Sequence, residues 1–135
     1  DFVFDHSSEN YLNEINQATE NKGVDVILEM LANENLQKDF DILAKFGRIT
    51  IIGNRGSLEF NPRVTMGKDA TIKGMSLFNA SPEEFAEIHA EIYKGLSKGY
   101  LQPIIGKRFS LEDAKLAHIE VIESKAFGKI VLDIS

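Results

Sequence analysis

Residues 48–62 read RITIIGNRGSLEFNP, and an apolar run over residues 49–52 breaks at Gly53-Asn54-Arg55-Gly56. A glycine turn after an apolar strand exposes backbone donors and acceptors. Arg55 adds a planar fork of donors suited to a phosphate. The spacing is wrong for the two common phosphate cradles. A dinucleotide fingerprint needs Gly-x-Gly-x-x-Gly opening a helix, whereas Ser57-Leu58-Glu59-Phe60 reads as extended, and the Walker pattern is absent. The loop is therefore not a primary phosphate site. It does stand at the carboxyl end of a buried strand, where open α/β sheets place their ligands. The competing reading is a surface turn with a solvated Arg.

A second loop, Leu31-Ala32-Asn33-Glu34-Asn35, opens onto the same edge. Asn33 and Asn35 could hydrogen-bond a ligand amide, or could cap the following helix, the commoner use of Asn. Of the three histidines, His89 and His118 fall on apolar helix faces and read as core or boundary packing. His6 follows the first strand at the ligand edge and alone has a site role open to it. No His-Glu-x-x-His arrangement occurs, so no metal site is read. Ser57, Ser76 and Ser110 lack a Gly-x-Ser-x-Gly context, and Asp5, Asp25 and Asp41 read as strand-end or surface acids. No catalytic residue is assigned.

The elements that position these loops follow from hydropathy. Phe2, Val3 and Phe4 read as a strand. Tyr11, Leu12, Ile15 and Ala18 recur at helical spacing, with Gly23 as the stop. Residues 24–28 form a second strand. Leu36, Phe40, Leu43 and Ala44 mark a helix closed by Gly47, and residues 49–52 a strand buried on both faces. After a polar loop, residues 70–78 read as a further strand interrupted by Gly74. Ser81-Pro82-Glu83-Glu84 is a capping box with Pro at the first helical position. The helix that follows carries Phe85, Ile88, His89, Ile92, Tyr93 and Leu96 on one face. Next come a strand-like piece, a last helix capped by Ser110, and a closing strand over residues 129–132. Strands alternating with helices predict an α/β fold with a parallel sheet.

Composition narrows the function. The chain has 135 residues, is 43% hydrophobic and carries a formal charge of -6. That size suits one ordinary core, and the acidity argues against nucleic acid as a partner. No apolar run is long enough for a membrane span, and no signal peptide is visible. The absence of Cys excludes disulfides and thiolate zinc sites within this chain and fits a cytoplasmic protein.

Two longer stretches, GVDVILEMLANENLQKDFDILAKFGRITIIGNRGSLEFNPR and LEDAKLAHIEVIESKAFGKIVLDI, resemble the zeta-crystallin-like quinone oxidoreductases of the medium-chain dehydrogenase/reductase superfamily. The resemblance runs in order along essentially the whole chain. It implies a partial Rossmann fold, the later half of a parallel sheet with flanking helices, over residues 1–102. Residues 103–135 would be the C-terminal return segment of a GroES-like catalytic domain. It implies an NADPH-dependent enzyme that transfers hydride to a quinone or an activated alkene, without zinc. His6 matches a position near the adenosine end of the cofactor, and Asn35 one in the loop over it. Ile52, Gly53, Asn54 and Arg55 match a loop beside the nicotinamide half, and Met75, Ser76 and Leu77 a backbone stretch that meets the carboxamide. The family's glycine-rich phosphate loop is absent, so the chain is expected to be a C-terminal fragment, inactive in isolation and with an open sheet edge. A homodimer is expected through an edge strand over residues 71–78, Thr71 at one end and Phe78 at the other. The rival expectation is a stand-alone α/β binding or dimerisation module without catalysis.

Overall fold

Helix α1 (Tyr11–Ala18) brings Leu12 and Ile15 onto one side, and the chain leaves it through Glu20 and Asn21, both at positive φ. Gly23 then admits strand β1 (Val24–Glu29). Its φ is +78°, and a Cβ there would stand 2.6 Å from the carbonyl oxygen of Ile42. Helix α2 (Ala32–Ile42), strand β2 (Leu43–Ile51), helix α3 (Arg63–Lys68) and strand β3 (Thr71–Gly74) complete the first of two compact units, Asp1–Asn79. These features come from a computed structural model that describes residues 2–124 and 127–134.

The three strands form one parallel sheet in the order β1-β2-β3. Ile27 pairs with Ile49 and Ile49 with Ile72, so apolar residues run across the middle of the sheet. Ala32, Leu36 and Phe40 of α2 close with Leu43 and Ile49 into the core, which Leu58, Phe60, Val64 and Ala70 extend. The Phe40 and Phe60 rings lie 5.7 Å apart, within the range of favourable aromatic pairs.

The second unit, Ala80–Ser135, is built from helix α4 (Pro82–Lys98), strand β4 (Ile105–Ser110), helix α5 (Ala114–Glu123) and strand β5 (Lys129–Asp133). Its two strands are also parallel. The capping box at the start of α4 is formed: Ser81 Oγ accepts from Glu84 N at 3.2 Å, and Glu84 Oε2 accepts from Ser81 N at 2.7 Å. The mixed α/β architecture with parallel sheets agrees with the sequence.

Several local expectations are corrected. Phe2 and Val3 are not in a strand; they are exposed, and no neighbouring strand among the described residues offers them backbone partners. Neither Asn33 nor Asn35 caps α2: both lie inside it, behind an N-cap at Leu31. Gly47 does not close α2, which ends at Ile42. Leu43 turns extended there because its side chain, 1% exposed, plugs the core, and residues 44–47 bulge between its pairing with Val24 and that of Arg48 with Val26. The strand over residues 70–78 shrinks to Thr71–Gly74, followed by a 3-10 turn at Leu77–Asn79. The loop before it contains α3, which the hydropathy pattern did not reveal. Ser110 stands one turn before α5. Its hydroxyl accepts from Asp113 N at 3.3 Å, and Asp113 is the N-cap residue. His89 and His118 are exposed rather than packed in a core.

Candidate nucleotide-binding edge

The carboxyl ends of the three strands lie level. Glu29 pairs with Ile51, and Ile51 with Gly74. Beyond that line the chain is stitched by backbone hydrogen bonds. The carbonyl of Glu29 accepts from Ile52 N at 2.8 Å and Gly53 N at 3.2 Å, that of Gly53 from Ala32 N at 3.0 Å, and that of Ile51 from Met75 N at 2.9 Å. Residues 30–32, 52–53 and 75 therefore make one continuous rim. Gly53 is indispensable to it, because a Cβ there would stand 2.1 Å from the carbonyl oxygen of Met30. Met75, Ser76 and Leu77 leave the same rim and are exposed.

The glycine loop is anchored by Asn33. Its Oδ1 accepts from Arg55 N at 2.9 Å, while Asn54 Nδ2 donates to the Gly56 carbonyl at 2.6 Å and folds the turn on itself. Asn33 thus spends its side chain bracing the loop, and the Arg55 side chain projects from a fixed backbone into solvent.

Asn35 and His6 meet at a hollow of about 430 Å³ that Tyr11, Glu29, Glu34, Lys38 and Asp39 also line. His6 rides on a turn fixed by Asp5, whose Oδ1 accepts from Ser7 N at 2.9 Å and from Ser7 Oγ at 2.7 Å. Those bonds hold the Asp5 carboxyl below its usual range. Asn35 Nδ2 donates to Glu29 Oε1 at 3.3 Å, and Leu31 N donates to the same oxygen. Glu29 and Asp39 are both buried. Burial, then the charge and hydrogen bond of Glu29, push Asp39 up to about 7.

The structure thus brings Ile52, Gly53, Asn54, Arg55 and Met75 onto one rim with Ser76 and Leu77 beside them. It gathers His6 and Asn35 at the adjoining hollow. Sequence reasoning missed Glu29 and Asp39. An acid closing the apolar strand Val-Asp-Val-Ile-Leu-Glu, and an acid three residues after Leu36 on the buried side of a helix, were the available signals. Among the described residues no group of three His, Cys, Asp or Glu side chains could hold a metal ion, and no helix is long and apolar enough to cross a membrane.

Comparison with known proteins gives the family and the fold. Residues 1–132 match the family model described as zinc-binding dehydrogenase. The chain is 44% identical over 131 residues to a quinone oxidoreductase of Sus scrofa and 43% identical over 131 residues to that of Homo sapiens. In each case the match covers 96% of this chain and 40% of the relative. The chain therefore spans well under half the length of these relatives. A solved quinone oxidoreductase of Pseudomonas syringae pv. Tomato DC3000 superposes with a TM-score of 0.82 at 21% identity, over 96% of this chain and 42% of that one, and so shares the fold.

Proposed function

The chain belongs to the zinc-binding dehydrogenase family, and we propose that it is the later part of the nicotinamide-binding domain of an NADPH-dependent quinone oxidoreductase, joined to the return segment of its catalytic domain. In this reading residues 1–102 belong to the first and residues 103–135 to the second. The observation that carries it is the level rim of three parallel strand ends, with Gly53 at its closest backbone approach. Open α/β sheets bind nucleotides at such an edge. Identity of 44% to a quinone oxidoreductase supports the class of reaction.

The residues at the edge fit a nicotinamide dinucleotide. His6 would lie near the adenosine end of the cofactor, and Asn35 in the loop over it. Ile52, Gly53, Asn54 and Arg55 would flank the nicotinamide half, with the Arg55 guanidinium free for a phosphate. The backbone of Met75, Ser76 and Leu77 would meet the carboxamide. When bound, the cofactor supplies hydride to a quinone or an activated alkene; this chain's part is to orient it and shield one side from water. The family's name carries zinc, but the described residues bring together no metal-holding group and the sequence has no Cys. No step through zinc follows from these residues.

The glycine-rich phosphate loop of such enzymes has no counterpart in this sequence, so the 135-residue chain by itself is expected to bind NADPH weakly and not to turn over. β1 is an edge strand of the sheet, open to a further strand, and exposed Val26 and Leu28 leave one face of it uncovered. β3 stands at the opposite edge, where pairing with a second copy would form a homodimer. Isothermal titration of the chain with NADPH tests the reading. Weak or absent heat by the chain, together with micromolar binding by the intact polypeptide that carries it, is the expected pair of results. Nanomolar binding by the chain alone would overturn it.

A further inference from the structure

Two carboxyl groups lie largely buried at the hollow beside Asn35. Glu29, the last residue of β1, is 5% exposed, and Asp39, on α2, is 7% exposed. Glu29 Oε1 accepts two donors, Leu31 N and Asn35 Nδ2. Asp39 is in the opposite position. Its Oδ2 is buried with no hydrogen-bond partner, and its carboxyl lies within hydrogen-bonding reach of Glu29. Two ionised carboxylates so placed repel each other where little water screens them. One proton shared by the pair resolves this: held on Asp39, it donates to Glu29 and leaves Glu29 free to accept from the turn above.

Other titratable groups share the hollow. His6 and Tyr11 reach the hollow from the N-terminal segment and α1, and Glu34 and Lys38 from α2. β2 presents apolar Leu43 and Ile49 to α2. No cation among the described residues forms an ion pair with either acid. Asn35 Nδ2 is spent on Glu29, so the aim of this amide depends on the charge state below it.

We propose that Asp39 is a positioning residue for the cofactor edge: its proton, shared with Glu29, keeps Glu29 as the acceptor that holds the Asn35 amide and the Leu31 backbone in place. The inference rests on the reading of this rim as a nicotinamide-cofactor edge and adds a proton-dependent latch to it. Loss of the proton sets a second buried negative charge against Glu29, and the turn that carries Asn35 loosens.

The test is fluorescence titration of the intact polypeptide with NADPH, and separately NADH, from pH 5.5 to 9. The natural sequence is expected to lose roughly tenfold in affinity as pH rises through 7, equivalent to about one unit of linked pKa shift. In Asp39→Asn the amide donates to Glu29 at every pH, so the affinity should stay tight and flat. Glu29→Ala, which removes the acceptor of both donors, should bind weakly throughout. Use of NADH removes any slope from the cofactor's 2′-phosphate. A pH slope in Asp39→Asn equal to that of the natural sequence overturns the latch while leaving the rim reading intact. A folded natural protein that binds neither nucleotide at any pH overturns the rim reading and the latch with it. Carboxyl carbon NMR of the unliganded protein needs no variant: titration of Asp39 near neutrality supports the shared proton, and titration in the ordinary carboxylate range refutes it.

Discussion

Gly53 passes under Met30 with no room for a side chain: a Cβ would stand 2.1 Å from the Met30 carbonyl oxygen and 2.9 Å from its carbon. Backbone cannot swing aside as a flexible side chain does. Gly53→Ala must therefore part the ends of β1 and β2, breaking the bonds from Ile52 N and Gly53 N to Glu29. A loss of about 1–3 kcal/mol is expected, the usual scale of overpacking, with weaker NADPH binding. Gly56→Ala is the control, since its nearest neighbour is Asn33 Nδ2 at 3.9 Å. Denaturant melts and nucleotide titration of the two variants should separate; equal behaviour would show that the rim tolerates displacement.

Asn33 braces the Arg55 backbone from the neighbouring loop. Asn33→Ala leaves that N–H to water and is expected to cost about 1 kcal/mol. Arg55→Gln touches only an exposed side chain, so its melting should not change. If the guanidinium meets a cofactor phosphate, Arg55→Gln weakens NADPH binding by the ~1.5–3 kcal/mol of a charged hydrogen bond. Calorimetric titration beside a thermal melt distinguishes the two variants, and an unchanged Arg55→Gln affinity removes Arg55 from the site.

The parts of this fold that the sequence revealed are those set by strong local patterns. The apolar runs of β1 and β2, the capping box of Ser81 and Glu84, and the turn at Gly53 all declare themselves within a few residues. The misses depend on tertiary context. Phe2, Val3 and Phe4 have the composition of a strand, but a strand needs a neighbour, and propensity cannot supply one. Leu43 and Ala44 fit a helical stripe, yet the core and the pairing with Val24 draw Leu43 into extended backbone. Asn33 and Asn35 have the chemistry of caps, but partners outside the helix, Arg55 N and Glu29, claim them. Glu29 and Asp39 escape a sequence reading because a buried acid pair is a property of two elements brought together.

The pair also sets a pH dependence of stability. Asp39 rises from 3.8 to about 7 on folding, chiefly through burial. The folded state therefore holds this proton more tightly than the unfolded one. Its contribution is complete below about 3.8 and is lost progressively as pH rises toward 7, above which it is flat. Asp39→Asn should be more stable than the natural sequence at pH 8, and the difference should shrink or reverse at pH 5. Urea midpoints at the two pH values check this, and a pH-independent difference would mean that Asp39 is ionised in the fold.

Disruption of the β3 edge requires care over which amides already have partners. Met75 N donates inward to Ile51, so Met75→Pro would damage the rim as well as any contact with a second copy. In a parallel ladder successive residues direct their backbone groups to opposite sides. With Met75 facing β2, Ile72 and Gly74 present theirs to the open edge. Gly74 has an ordinary φ, and a Cβ added there would meet nothing within 4 Å, so Gly74→Pro removes one outward donor and leaves the Met75 bond in place. If a second copy pairs along β3, Gly74→Pro should shift the intact polypeptide from dimer to monomer in analytical ultracentrifugation with little change in NADPH affinity. A dimer that persists at the same concentration dependence would place the contact elsewhere, because an edge that lacks this donor cannot continue the ladder.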